Sequence, residues 1–377
     1  MARYEIKDGV AIIPGGTTEI GEHAFYGCSG LTSVVIPDSV TKIDKRAFYG
    51  CSGLTSVVIP DGTTEIGEDA FYGCSGLTSI VIPDSVTEIG SSAFDGCSGL
   101  SSIVIPDSVT MIAEGAFLDC SGLTSIKVAG GNKVYDSRGN CNAIIKTGTN
   151  TLIFGCVSTV IPDDVTKIGE YAFYGCLGLM SVVIPDSVTM IAEGAFLECP
   201  GLTSIIIPDS VTEIGSRAFE DCFGLTSIKV AEGNKVYDSR DNCNAIIKTG
   251  TNTLILGCVS TIIPDSVTKI GDSAFYRCSG LTCINIPDSV TKIGDSAFDG
   301  CSGLSSIVIP DSVTMIGADA FRGCSGLTSI NIPESVTMIV EGAFSGCSEL
   351  TSIVIPDSAT MISEEEYYEG EWDDDDE

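Results

Sequence analysis

Cysteine is the residue type in this chain that could most readily bind a metal or carry redox chemistry. The sequence contains 17 cysteines, and twelve of them lie three residues after a phenylalanine. Converging thiolates bind zinc or carry redox chemistry, and a Cys-x-x-Cys pair is their usual signature. No such pair occurs here, and equivalent positions of a repeat form a line rather than a cluster. We therefore expect a ladder of small buried thiols, with structural zinc or a redox centre as the alternative.

Acidic side chains form a second regular set. The residue after a recurring proline is acidic in twelve copies: Asp38, Asp61, Asp84, Asp107, Asp163, Asp186, Asp209, Asp265, Asp288, Asp311, Glu334 and Asp357. Specific calcium sites draw several carboxylates from one loop, whereas this pattern supplies one carboxylate per turn. We expect each Asp to hydrogen-bond the backbone of its own turn. Calcium binding along the stripe is the alternative hypothesis.

Nucleophilic catalysis has little support in the sequence. It needs a base beside the nucleophile, and the chain has one histidine, His23. That histidine occupies a variable position that Arg46, Asp69 and Ser92 fill in later copies. No phosphate-binding loop or dinucleotide fingerprint is present. We predict that the protein is not an enzyme and uses no cofactor and no metal.

The charge balance restricts the partners. Against 51 Asp and Glu the chain has 19 Lys and Arg, which gives a formal net charge of −32. This charge opposes binding to nucleic acid or to an anionic lipid surface. No stretch approaches the roughly 18 to 20 apolar residues of a membrane span. We therefore expect neither a nucleic-acid partner nor membrane insertion.

A repeat must position all of these side chains, and phenylalanine reveals its period. Phe25, Phe48, Phe71, Phe94 and Phe117 are each 23 residues apart. The spacing jumps to 56 at Phe173 and Phe275 and otherwise stays at 23 through Phe344. Because one 23-residue coil is too small to bury its own apolar face, neighbouring coils must stack. The sequence thus predicts a mainly β solenoid.

Each coil combines a strand with turns. Leu54, Val57 and Ile59 alternate with polar or outward residues, which indicates a short strand that Pro60 ends. A second apolar pair follows the next turn. The stretch from Gly90 to Cys97 has the spacing of a single helical or 3-10 turn.

Two interruptions, at 129–161 and 231–263, are identical at 29 of 33 positions. Each reads as strand, Gly-Thr-Asn turn and strand, which predicts an enlarged coil with a hairpin-type insertion. A dedicated binding insertion is the alternative. We divide the chain into a cap at 1–13, a single repeat array at 14–362 and an acidic disordered tail at 363–377. The sequence leaves the oligomeric state open.

The pattern Leu-x-x-Ile-x-Ile-Pro-x-x-Val-x-x-Ile-x-x-x-Ala-Phe-x-x-Cys resembles the 23-residue leucine-rich repeat of BspA-like surface proteins. The Asn-x-x-Tyr-x-Ser-Arg segments of the interruptions resemble parts of that family too. The resemblance implies a right-handed leucine-rich-repeat solenoid. It also implies a cell-surface or secreted location and adhesion to host, matrix or neighbouring-cell proteins. It transfers no functional residue. The chain shows no signal peptide or anchor, so a cytoplasmic location is the alternative expectation.

Outward strand positions are the candidate binding surface. Two residues before the repeat proline, most coils carry an aliphatic side chain, and Thr-Ser pairs such as Thr55-Ser56 flank this column. Exposed apolar surface marks interaction sites. The candidate residues are Val35, Val58, Val81, Val104, Val183, Ile206, Asn285, Val308, Asn331 and Val354. The alternative is that β-branched residues are there only because they favour strands. We predict a non-enzymatic protein-binding scaffold, either a BspA-like adhesion protein or an intracellular interaction scaffold.

Overall fold

The computed structural model of the chain describes residues 4–351 and 353–369. These residues form two compact units. The first unit comprises Met1–Gly201 and Ile214–Ala218, and the second comprises Leu202–Glu213 and Phe219–Glu377. Each unit is a stack of coils, which confirms the predicted leucine-rich-repeat solenoid. The prediction that 14–362 form a single array stays a prediction.

The first strand of each coil belongs to what we call the first ladder. Strands of neighbouring coils pair in parallel and in register, for example Ser56 with Ser79 and Val57 with Ile80. Inward residues such as Val57 are buried, and the following Val58 is exposed, so the predicted alternation is confirmed. The first-ladder strands are Val10–Ile12, Ser33–Val35, Ser56–Val58, Ser79–Val81, Ser102–Ile105, Ser125–Val128, Ser204–Ile207, Ser227–Val230, Ser306–Val308 and Ser329–Asn331.

A second ladder of shorter strands follows the proline turn. Its apolar residue points into the core, and Ile43 is fully buried. Neighbouring strands again pair in parallel, as Lys42–Ile43 does with Glu65–Ile66. The second-ladder strands are Glu19–Ile20, Lys42–Ile43, Glu65–Ile66, Glu88–Ile89, Met111–Ile112, Lys167–Ile168, Met190–Ile191, Glu213–Ile214, Lys269–Ile270, Lys292–Ile293, Met315–Ile316, Met338–Val340 and Thr360–Ile362.

The phenylalanines stack through the core. The rings of Phe48 and Phe71 lie 5.1 Å apart with nearly parallel planes, and both are fully buried. The turn that carries each ring is not a continuous helix. The Ala47 N–H donates to the carbonyl three residues back, but the Phe48 N–H donates to Ala70 of the next coil. Since alternate N–H groups leave the coil, the predicted helical or 3-10 turn takes the form of single turns.

Each interruption contains the predicted hairpin and one strand more. The antiparallel strands Ala143–Lys146 and Thr151–Gly155 form the first hairpin. Ile246–Lys248 and Thr253–Leu256 form the second. The strands Tyr135–Asp136 and Tyr237–Asp238 add to their edges, and each precedes a 3-10 helix, Arg138–Asn140 or Arg240–Asn242. The sequence pattern missed these added elements because they are only two or three residues long.

The first interruption also closes the ladders of the preceding coils. Asn132 donates its side-chain amide to the carbonyls of Pro106 and Val109. The Tyr135 hydroxyl accepts the N–H of Ile112, 3.0 Å away, at the end of the second ladder. At the end of the first ladder, the Ser137 hydroxyl accepts the N–H of Val128. The Asn-x-x-Tyr-x-Ser motif therefore replaces the backbone partners that a further coil would supply.

The two ends of the chain have their own elements. Ile6–Lys7 pairs antiparallel with Val10–Ile12, and Tyr4 stacks on Phe25 at 5.4 Å. The cap predicted at 1–13 stays a prediction, and residues 1–3 lie outside the described part.

The acidic tail contains the α-helix Glu364–Glu369, so the prediction of disorder for 363–377 is wrong for this segment. Ser363 and Glu366 form a capping box, in which the Ser363 hydroxyl accepts the Glu366 N–H. Tyr367 is buried against Ala318 and Val340, which gives the helix a tertiary anchor. Residues 370–377 lie outside the described part.

Candidate functional site

The candidate binding residues form exposed columns on the first ladder. In the first unit, Val58 and Val81 are register partners and are 78% and 75% exposed. Paired strands lie about 4.8 Å apart, so their side chains stand at that spacing. We call these outward residues the valine column. Its other first-unit members Val35, Val104 and Val183 are also exposed.

The column is longer than the sequence analysis predicted. Ile12 pairs with Val35 and is 70% exposed, so the column begins one coil earlier. Val160 in the first unit and Ile262 in the second are similarly exposed. All three stand two residues before a proline, which is the same signal that identified the other members.

The first-unit column borders on an exposed cation. Lys127 is the register partner of Val104, and its side chain is exposed. A lysine so placed adds one positive charge beside the aliphatic strip of a strongly acidic protein.

The second unit repeats this surface with more polar residues. Ile206 is 59% exposed, and its register partner is Lys229. Asn285, Val308, Asn331 and Val354 then alternate along one row of parallel pairs. All four side chains are exposed. The apolar strip of this unit is therefore interrupted by amides, whereas that of the first unit is continuous from Ile12 to Val104.

Hydroxyl groups beside the column are already engaged. The Thr55 hydroxyl donates to the Thr32 carbonyl of the preceding coil, and Thr78 donates to Thr55 in the same way. Each threonine hydroxyl thus donates its hydrogen to the preceding coil and holds the strand edge in place. These threonine hydroxyls form a fixed polar border to the aliphatic strip.

The cysteines form the predicted ladder of thiols, most of them buried. All 17 are free, and the Cys51 thiol donates to the Phe25 carbonyl of the preceding coil at 3.1 Å. Burial raises the pKa of Cys51 to about 12, so this group is a neutral thiol at physiological pH. Cys283 is the exposed exception, while Cys28 and Cys347 are half-buried. Neutral thiols are poor metal ligands and poor nucleophiles.

The carboxylate column does not close its own turns, contrary to expectation. The Val40 N–H donates to the Pro37 carbonyl at 3.0 Å, so the backbone closes the turn. The Ser39 hydroxyl ties the turn to Thr17 of the preceding coil. Asp38 is exposed to solvent. In the described part of the chain, no three His, Cys, Asp or Glu side chains are grouped so as to hold a metal ion.

A second acidic group lies at the phenylalanine turns of the first unit. Burial, and then the charges of Asp119 and Asp69, raise the pKa of Asp95 to about 6. Asp69 accepts a hydrogen bond from Arg46 at 2.8 Å. No sequence pattern indicates this group, because these residues occupy different positions of the repeat. His23 is exposed, and its Nδ1 lies 3.5 Å from a carboxylate oxygen of Glu22.

Comparisons with known proteins identify the family. The profile of the BspA type Leucine rich repeat region matches residues 17–142, 154–249 and 256–370 in six copies. A crystal structure of a leucine rich cell surface protein from Faecalibacterium prausnitzii is 33% identical, with a TM-score of 0.56. That alignment covers 93% of this chain and 92% of the other.

A leucine-rich repeat protein from Eubacterium ventriosum has a TM-score of 0.58 at 24% identity, with 92% of each chain covered, and supports the fold alone. No curated protein matches the chain. The described residues of this chain include no helix with the length and apolarity needed to cross a bilayer. Profile, structural relatives and the coil geometry agree: the chain belongs to the family of BspA-type leucine-rich-repeat proteins.

Proposed function

We propose that this protein is a non-enzymatic adhesion scaffold that binds another protein through the valine column. The observation that carries the proposal is the continuous exposed strip from Ile12 to Val104, since large side chains along it are 52% to 78% exposed. Contiguous apolar surface of this kind marks interaction sites in soluble proteins. The fixed hydroxyls beside it supply a polar rim, as protein interfaces commonly have.

The surface location is part of the same proposal. The Faecalibacterium relative is described as a cell surface protein, and it is similar over almost the whole chain. The partner would be a host, matrix or neighbouring-cell protein. The free state of all 17 cysteines favours the second candidate function, an intracellular interaction scaffold in a reducing compartment.

The test replaces Val58, Val81 and Val104 together with lysine. Binding of the purified chain to immobilised matrix proteins and to whole cells is measured by biolayer interferometry and flow cytometry. Because charges in the strip must be desolvated on contact, we expect binding to be lost while circular dichroism stays unchanged.

The matched control adds the same three charges away from the strip. Ser52, Ser75 and Ser98 lie in the same coils, outside the column. Their replacement by lysine should leave binding intact. Equal binding by both triple variants would refute the role of the column.

A further inference from the structure

A cleft of about 330 Å³ lies beside the first interruption, within the first unit. One wall is formed by residues 112–118 and the other by Lys167 and residues 169–171 of the coil that follows the interruption. The hairpin strands separate these coils on the side of the second ladder. Two residues after Phe117 the coils are adjacent, since a Cβ added to Gly175 would lie 3.2 Å from the Cα of Asp119. The interruption therefore acts as a wedge, and the cleft is the opening that it leaves.

Regular coils have no such opening because main-chain hydrogen bonds close it. The Phe71 N–H donates to the Ala93 carbonyl of the next coil at 2.8 Å. Two residues later, the Gly73 N–H donates to the Asp95 carbonyl at 2.7 Å. These alternate donors bond every regular coil to its neighbour.

The coil at the cleft has the same donors but lacks the acceptors. Its equivalent N–H groups belong to Gly115, Phe117 and Asp119. Among the residues that the structure describes, none of these three N–H groups has a hydrogen-bond acceptor. Phe117 is only 2% exposed, and unpaired N–H groups at buried positions are rare because they are costly. Gly115 and Phe117 both line the cleft.

Charge does not select the ligand here. Lys146 and Lys167 line the cleft together with Glu114 and Glu170, so the formal charges balance. Lys167 also lies 4.0 Å from Glu170. The lining also includes the apolar side chains of Ile153 and Phe154. The features left to recognise a ligand are the alternate main-chain donors and these apolar side chains.

We propose that the cleft binds a short peptide segment in a turn conformation, whose alternate carbonyls accept the Gly115 and Phe117 N–H groups. In regular coils the acceptors are likewise the carbonyls of alternate residues in a turn, such as Ser91 and Ala93. The cleft volume lies at the lower end of the range for ligand sites, which suits a segment of a few residues. The peptide takes the place of the missing neighbouring coil. This site shares no residue with the valine column and does not depend on the proposed adhesion function.

Hydrogen–deuterium exchange of the full chain tests the donors directly. The probe is a synthetic peptide with the sequence of residues 90–96, Gly-Ser-Ser-Ala-Phe-Asp-Gly, whose carbonyls accept such bonds within the array. Without peptide, amides in 113–119 should exchange faster than those at the same positions in 67–73. Added peptide should slow exchange in 113–119 and leave 67–73 unchanged. Equal protection of the two segments in the free protein, or no protection by the peptide, would overturn the proposal.

A variant pair checks the location of the site. Glu114 lines the cleft and is exposed, so Glu114→Trp should obstruct it and weaken peptide binding at least about tenfold, a difference equivalent to 1.4 kcal/mol. The control Glu68→Trp changes the same position two coils earlier and should bind as the unaltered chain does. Lys146→Trp provides a second obstruction from the hairpin wall. Binding is followed by fluorescence anisotropy of labelled peptide, and unchanged affinity in both cleft variants would contradict the assignment.

Discussion

Replacing Asp95 with asparagine should stabilise the protein at neutral pH. The carboxyl group of Asp95 is partly buried, and Asp119 and Asp69 add negative charge around it. These conditions raise its pKa to about 6, so ionisation at neutral pH works against folding. Asparagine has nearly the same shape and no charge to desolvate.

The direction of the pH effect follows from proton binding. The pKa of an unfolded aspartate is about 3.9, so between roughly pH 4 and pH 6 the folded state binds more protons than the unfolded state. The free energy of unfolding therefore falls as pH rises through this window and levels off above it. A shift of about two units corresponds to ~3 kcal/mol at most. Because Asp95 retains solvent contact, screening reduces the expected gain to ~1 kcal/mol.

Urea unfolding followed by circular dichroism measures this effect. The unaltered chain, Asp95→Asn and the control Asp61→Asn are compared at about pH 5 and about pH 7.5, on either side of the raised pKa. Asp61 is an exposed member of the carboxylate column. Asp95→Asn should gain stability at the higher pH and lose much of its advantage at the lower one. If it is no more stable than the unaltered chain at the higher pH, burial of this carboxylate is not destabilising and the reasoning fails.

Three further substitutions or measurements address the core, the interruption and the thiols. Phe94→Ala removes a fully buried ring stacked 5.4 Å from Phe71 and should cost about 3 to 5 kcal/mol in urea unfolding; a near-neutral result would contradict the ring ladder. Tyr135→Phe removes the hydroxyl that accepts the Ile112 N–H and should cost about 1 to 3 kcal/mol, with unchanged stability speaking against the capping role. Titration with a thiol reagent should label Cys283 readily in the native protein and all 17 cysteines only after denaturation, whereas full native labelling would show that the ladder is accessible.

Much of the fold follows from the repeat alone. A period of 23 residues with Leu, Val, Ile, Phe and Cys at constant positions specifies which side chains face the core of every coil. Val57 inside and Val58 outside follow from the two-residue period of a strand. The exposed column was predictable for the same reason, including the members Ile12, Val160 and Ile262 that the sequence analysis omitted. Stacked coils repeat one environment, so one coil's sequence predicts the others.

The contacts at the places where that regularity ends could not be read from the repeat. The Tyr135 hydroxyl and Ile112 are 23 residues apart, as regular partners are, but a side chain there replaces a backbone group. No periodicity in the sequence indicates that a side-chain hydroxyl replaces a backbone acceptor there. The unpaired donor of Phe117 likewise depends on which segment lies next to it, and the raised pKa of Asp95 depends on charges from other coils. The coil and its stacking thus follow from the residues alone, because they depend on side-chain type at fixed spacing. The caps, the cleft and the perturbed carboxylate required the structure, because they depend on which segments meet across space.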